Sequence, residues 1–274
     1  MSEIDQWIWC DGALRPSTEG VLGAFDPGLT MGLGCFETLC YEEGKAAHLT
    51  MHLKRLRKAA KQIDVPLIGE GDIAAAVDEL LRVNELLRCR ARVRISLYKQ
   101  LAGAAALVIT AQPIDKPSGL PVTLALSTYT VNTKSPMAGV KSTSYADNLL
   151  ALEWARLHGA DEALLLNNHS DLCEGATTNL FWIAGGILFT PSKKTGCLPG
   201  ITRKVILELC SEHGIIVEKV EEGIESLLRA DAVFVSNSVH GIRMVTHMGE
   251  FKFPQSQHPM AQKLARLYTE VTGC

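Results

Sequence analysis

Residues 141–167, KSTSYADNLLALEWARLHGADEALLLN, and 174–203, EGATTNLFWIAGGILFTPSKKTGCLPGITR, decide the reading of this chain. After Lys141, the apolar positions Tyr145, Leu149, Leu152 and Ala155 recur at spacings of four, three and three. That pattern predicts a helix closed by His158-Gly159. Residues 163–166 predict a strand, with 167–170 as its turn. In the second segment, apolar runs over 179–184 and 187–190 flank Gly185-Gly186, a two-residue hairpin signal. Gly200-Ile201-Thr202 opens a helix over 203–213 that stops at Gly214.

Three side chains in these segments carry usable chemistry. A lysine whose amine stays partly neutral can bond a carbonyl and then move a proton at the neighbouring carbon, which makes Lys141 a candidate catalytic residue. Glu174, between two apolar strands, can hydrogen-bond a protonated ring nitrogen. The free backbone N–H groups behind Gly200-Ile201-Thr202 and the Thr202 hydroxyl form a seat for phosphate. Arg55, in His52-Leu53-Lys54-Arg55-Leu56, can add a guanidinium to the same anion. Each also has an ordinary reading: a solvated lysine, a strand-edge acid, an N-cap threonine and an exposed arginine. Together they suit an anionic, carbonyl-bearing cofactor.

Outward from this centre, the first hundred residues alternate between two periods. Residues 8–12 and 13–15 predict a short hairpin, and 35–41 a strand with one face buried. Leu53, Leu56, Ala60 and Ile63 fall on one face of a helix that Pro66 ends, and Ile73, Val77, Leu80 and Leu81 mark a second helix over 72–87. Strands follow at 91–97 and 106–112. The turn formers between Ile114 and Pro121 break both periods, so a linker is placed at 115–121. The expected domains are a small α+β domain over 1–114 and a larger cofactor-binding domain over 122–274. Within the latter, strands are expected at 122–127, 215–220 and 232–236, a short helix at Leu227-Leu228 and a terminal helix over 260–268.

The 274 residues are 47% hydrophobic, enough to bury a sizeable core. A net charge of -3 and a pI near 6.2 lack the basic field that nucleic acid or an anionic membrane would attract, so a small-molecule partner is expected. The eight cysteines contain no CxxC pair and read as buried or incidental thiols of a reducing compartment. His48 and His52 have no Cys or carboxylate at metal-ligand spacing, so no metal is expected. The opening MSEIDQWIWCDG has no charged-then-apolar signal segment, and no apolar run nears the ~18 residues of a membrane helix, which predicts a cytoplasmic protein. No GxGxxG, Walker A, HExxH or GxSxG occurs.

Taken jointly, the motifs resemble the class IV aminotransferase family, the fold-type IV pyridoxal-phosphate enzymes. Those that carry the likeness are Gly34-Cys35-Phe36-Glu37-Thr38, His52 to Leu56, Lys141 with Tyr145, Asp161-Glu162-Ala163, Glu174-Gly175 with Asn179-Leu180-Phe181, Leu198 to Arg203 and Ser236-Asn237-Ser238. The resemblance implies two α/β domains with pyridoxal 5'-phosphate in the cleft between them, usually in a homodimer. It matches Lys141 to the Schiff-base lysine, Glu174 to the ring-nitrogen partner, and Arg55, Ile201, Thr202 and Ser238 to the phosphate contacts. Leu198 matches the residue packed on the ring, and Tyr145 belongs to the same cofactor set. Within the family, Thr38 and the turn from Ser236 to Arg243 are similar to those of the 4-amino-4-deoxychorismate lyases, with Thr38 near the substrate. A D-amino acid or branched-chain aminotransferase is the alternative. The family's Arg-Gly substrate loop is absent, Tyr98-Lys99-Gln100-Leu101 standing in its place. The substrate carboxylate is left to one of Arg92, Arg94, Lys99 or Arg243.

Overall fold

The computed structural model describes residues 6–67, 69–254 and 258–273. It divides into two compact units. The first runs to Lys116 and takes in Val140–Ser144, and the second comprises Pro117–Gly139 with Tyr145–Thr272.

The first unit is an antiparallel sheet with helices on one face. Its strands are β1 (Trp7–Cys10), β2 (Ala13–Pro16), β3 (Gly34–Glu42), β4 (Lys45–Ala46), β5 (Ala91–Lys99) and β6 (Ala105–Pro113), in the order β2-β1-β6-β5-β3-β4. Helix α1 (Pro27–Thr30) precedes β3, and α2 (Leu49–Gln62) and α3 (Glu70–Val83) follow β4. The predicted apolar stripes are buried as the 3.6-residue period requires: Leu53, Leu56 and Ala60 on α2 with Ile63 just past its end, and Ile73, Val77, Leu80 and Leu81 on α3. Helix α3 stops at Val83 rather than 87, because Asn84 leaves the helix to bond the backbone of Trp7 through both of its amide atoms.

A short return segment completes this unit. Ser142 bridges Cys35, the Phe36 N–H donates to the Lys141 carbonyl, and the Thr143 N–H donates to the Gly34 carbonyl. These bonds hold Val140–Ser144 against the start of β3, so Lys141 is presented by the first unit although Pro117–Gly139 of the second precede it. The sequence reading had run the second domain through this stretch without a break.

The second unit is built on β7 (Val122–Val131), β8 (Glu162–Asn167), β9 (Leu172–Gly175), β10 (Asn179–Ala184), β11 (Ile187–Pro191), β12 (Val217–Val220), β13 (Ala232–Asn237), β14 (Gly241–Met248) and β15 (Phe251–Lys252). Their order is β12-β11-β10-β13-β14-β7-β8-β9, with β15 on β14. Pairs β7–β8, β14–β7 and β11–β12 are parallel and the rest antiparallel. Helices α4 (Ala146–Leu157), α5 (Ile201–Glu212), α6 (Ile224–Leu228) and α7 (Pro259–Thr272) complete it. Leu164, Leu180, Trp182, Val233, Val235 and Val245 pack into one apolar cluster.

The sequence reading omitted β9 and β14. Their short or charged runs, Leu172–Gly175 and Gly241–Met248 with its Arg243 and His247, hide the period-2 signal. On α4 the expected apolar face holds at Leu152 and Ala155 and fails in the first turn. Tyr145 precedes the helix and Leu149 is 55% exposed, while Ala151, Leu152 and Ala155 are buried. Among the described residues, no helix is long and apolar enough to cross a membrane, and no group of three or more His, Cys, Asp or Glu could hold a metal ion.

Gly34 sits wedged between β5 and the return segment. A Cβ there would lie 2.6 Å from the Leu97 carbonyl oxygen and 2.7 Å from Thr143 Oγ1. Gly34→Ala should therefore cost about 1–3 kcal/mol in denaturant unfolding. Gly71→Ala, on α3 with open space around it, should be neutral or slightly stabilising. Equal stabilities for the two variants would refute the close approach.

Candidate active site

In the first unit the candidates gather on β3 and its neighbours. Strand alternation sends Phe36 and Thr38 to one face of the sheet and Glu37 to the other, where α2 lies. The Lys141 Nζ stands 4.5 Å from the Phe36 ring centroid, and the Arg94 guanidinium carbon 3.7 Å from the same centroid. Both distances are within cation–π range. Thr38 pairs across the sheet with Arg94 and joins it, Arg92, Thr110 and Gln112 in lining a 580 Å³ hollow. Arg92 donates to Gln112 Oε1 at 2.6 Å, and Arg94 Nε to Ser96 Oγ at 3.1 Å.

On the helix side, Glu37 is 1% exposed and gathers two cation-forming side chains from α2. Arg55 donates to it through Nε at 2.8 Å and Nη2 at 2.7 Å, and His52 Nδ1 lies 2.6 Å from Oε2. Burial alone would raise the Glu37 carboxyl, but the Arg55 charge and the hydrogen bonds of Arg55 and His52 outweigh it and hold it at about 2. For His52, burial wins over the Glu37 contact and lowers its value, with Arg55 and Lys141 adding to the same effect. The imidazole is thus neutral and the carboxylate ionised.

In the second unit the candidates form two groups. Glu174, on β9, accepts the Leu198 N–H through Oε2 at 2.8 Å, while Asn179 Nδ2 donates to the Leu198 carbonyl at 2.9 Å. Both peptide groups of Leu198 are therefore fixed. Gly200, the residue before α5, has no room for a side chain: a Cβ would lie 1.9 Å from Asn179 Oδ1. Beyond it, Thr202 Oγ1 is 3.1 Å from the Tyr268 hydroxyl and 3.4 Å from Ser238 Oγ, and Ile201 is buried beside them in the first turn. Helix α5 begins at Ile201, two residues earlier than expected, because Gly200 takes the extended conformation suited to the start of a helix. Arg203, buried, anchors that turn by donating to Thr190 Oγ1 and the Pro191 carbonyl.

Tyr145 donates through its hydroxyl to the Ala176 carbonyl at 2.7 Å, and Asn148 Nδ2 donates to the same oxygen at 3.0 Å. Both hold the loop that follows Glu174. Of the four candidates for a substrate carboxylate, Arg92 and Arg94 share the hollow of Thr38. Lys99 turns instead toward the Ile63 carbonyl and Asp64. Arg243 lines a different hollow of 460 Å³ in the second unit, with Arg156, Glu162, Thr177 and Asn237.

The sequence reading missed the role of Glu37, quoted only as part of a strand motif, and of Glu162. For Glu37 a signal existed: an acid on the buried face of an apolar strand demands a partner, and His52 and Arg55 sit three apart on the next helix. Asn148 and Asn179 gave no such signal, since nothing local distinguishes an asparagine that holds a distant carbonyl.

A family model described as amino-transferase class IV matches residues 34–248. The chain belongs to the class IV aminotransferase family. Relatives include the aminodeoxychorismate lyase of Bacillus subtilis strain 168, 30% identical over 275 residues covering 95% of this chain and 93% of that protein. The branched-chain-amino-acid aminotransferase of Salmonella typhimurium strain LT2 is 28% identical over 260 residues, covering 87% of this chain and 84% of that protein. Among solved structures, the branched-chain aminotransferase of Thermoproteus uzoniensis with norvaline superposes with a TM-score of 0.90 at 29% identity, over 98% of this chain and 95% of that one. This member of the family is thus a pyridoxal-phosphate-dependent enzyme, either a lyase or an aminotransferase.

Glu162 lends itself to a pH test. Burial raises its carboxyl above the ordinary 4.5, partly offset by hydrogen bonds from Thr177 and the Ala163 N–H. A raised folded value contributes stability that is full below about 4.5 and is lost as pH rises through the folded value. Thermal unfolding of the wild type and Glu162→Gln should therefore diverge with pH, the variant gaining relative to the wild type between pH 4 and 8. A difference that stays constant over that range would exclude the buried titration.

Proposed function

We propose that this class IV enzyme is a 4-amino-4-deoxychorismate lyase, forming 4-aminobenzoate and pyruvate, a reaction of folate synthesis. The observation that carries the reading is the hollow on the open face of the six-stranded sheet, where Thr38 stands beside Arg92 and Arg94. A hydroxyl flanked by two guanidinium groups suits a substrate with two carboxylates and an ether oxygen to be protonated. The similarity to the aminodeoxychorismate lyase of Bacillus subtilis over 93% of that protein supports the same choice.

The donor set fits pyridoxal 5'-phosphate. Lys141 would supply the amine for its aldehyde, and Glu174, oriented by the Leu198 N–H, a carboxylate for its ring nitrogen. Thr202, Ser238, the first N–H groups of α5 at Ile201 and the Arg55 guanidinium suit its phosphate. Leu198 would pack on the ring, and Tyr145 steadies the loop behind Glu174. When bound, the cofactor supplies a ring that withdraws electrons from the carbon bearing the substrate's amine.

The chain's own residues then handle protons. Lys141 Nζ takes the proton from the amine-bearing carbon, and the Thr38 hydroxyl positions a proton donor at the ether oxygen. The carbon–oxygen bond breaks as the carbocycle becomes aromatic, and the enolpyruvyl group leaves to become pyruvate. Atoms balance without oxidant or reductant.

The alternative, transfer of the amine from a D-amino acid or a branched-chain amino acid to a keto acid, is favoured by the aminotransferase relatives and by the norvaline complex of the superposed structure. It uses Lys141 and Glu174 in the same way. Cofactor-loaded protein given aminodeoxychorismate should yield 4-aminobenzoate and pyruvate in equal amounts. Absence of both, with transamination across a panel of L- and D-amino acids, would replace the lyase by the alternative. Borohydride should fix the cofactor to Lys141 alone, seen by peptide mass spectrometry, and Lys141→Ala should lower turnover about 10²–10⁴-fold. Fixation to another lysine would sink the assignment.

A further inference from the structure

Glu37 has a place in this site that the proposed reaction does not use. Strand alternation puts it with Leu39 and Tyr41 on the face of β3 covered by α2, where a lone carboxylate would be costly. Helix α2 answers with residues three apart. Arg55 closes a two-pronged pair through Nε and Nη2, and His52 approaches through Nδ1. An ionised carboxylate only accepts, so Nδ1 carries the His52 hydrogen and the neutral ring keeps its lone pair on Nε2. The pair engages the Nε edge of the Arg55 guanidinium, and the remaining N–H donors lie toward Nη1.

We propose that Glu37 is a positioning residue for the cofactor's phosphate: it fixes the plane of Arg55 so that the Nη1 edge meets the anion in one orientation, and it sets the tautomer of His52. The proposal rests on the reading of Arg55 as a phosphate contact. Two effects of Glu37 oppose each other. Its negative charge weakens the pull of Arg55 on an anion, while its grip removes the rotamer freedom that a long side chain would otherwise lose on binding. Orientation dominates, because the pair is bidentate and its carboxylate is buried, and without it the guanidinium loses the two-pronged contact that sets its plane.

Pyridoxal and pyridoxal 5'-phosphate share the ring and the aldehyde, so the ratio of their affinities for the cofactor-free enzyme isolates the phosphate. Glu37→Gln should lower that ratio about tenfold, as loss of an orienting partner does elsewhere, with pyridoxal affinity unchanged. The double variant Glu37→Gln/Arg55→Gln should show no fall beyond that of Arg55→Gln alone. A ratio that is unchanged or raised in Glu37→Gln, or equal losses for both ligands, would overturn the proposal. The Arg55 reading fails separately, if Arg55→Gln leaves the ratio intact. Should Glu37→Gln not fold by circular dichroism, Glu37→Asp is read in the same way. It keeps the charge but draws the oxygens back, so a smaller fall is expected and an unchanged ratio overturns the proposal.

Discussion

The backbone pairing of Cys35 with Ser142 is the constraint on which the first unit's chemistry depends. Through it, Lys141 is fastened to β3 by its own carbonyl, and every other candidate of that unit is counted along β3 or across from it. Phe36 faces Lys141, Glu37 reaches through to α2, and Thr38 opens to the hollow with Arg94. Three consecutive residues thus serve both faces of one sheet, which only a strand's two-residue alternation permits. Gly34 allows the return segment to lie this close, since a Cβ there would lie 2.7 Å from the Thr143 hydroxyl.

The second unit holds Glu174 and Leu198 through peptide groups and the start of α5 through side chains. Glu174 is oriented by one N–H and Leu198 by both of its peptide groups. The start of α5 is tied to β11 through Arg203 and to α7 through the Thr202–Tyr268 hydroxyl pair. A backbone N–H cannot rotate as a side chain does, so the Leu198 peptide holds Glu174 in one orientation.

Much of this was legible in the sequence, and the parts that were not share a cause. The stripes of α2 and α3 and the hairpin at Gly185-Gly186 follow from local period and turn chemistry, and the structure has them where the pattern puts them. Strands β9 and β14 escaped, because a short run and a run broken by Arg243 and His247 carry too little alternation to read. The crossing of Val140–Ser144 into the first unit also escaped, since it is set by hydrogen bonds to residues over a hundred positions away. The candidate residues were found by motif, yet what orients them was not. Leu198's bonds to Glu174 and Asn179, and Tyr145's hold on Ala176, are long-range and leave no periodic trace. Glu37 was the exception, an acid on a buried strand face whose need for a partner is visible before any fold is known.

The contact between Gly200 and Asn179 binds two positions into one heritable unit. While Asn179 keeps its oxygen where a side chain at 200 would begin, only glycine can stand there. A lineage that exchanged Asn179 first would gain room at 200 but release the Leu198 carbonyl and slacken the peptide that aims Glu174. Neither residue can drift alone, so a small asparagine twenty-one places upstream guards the doorway of the helix, and the two should change together or not at all.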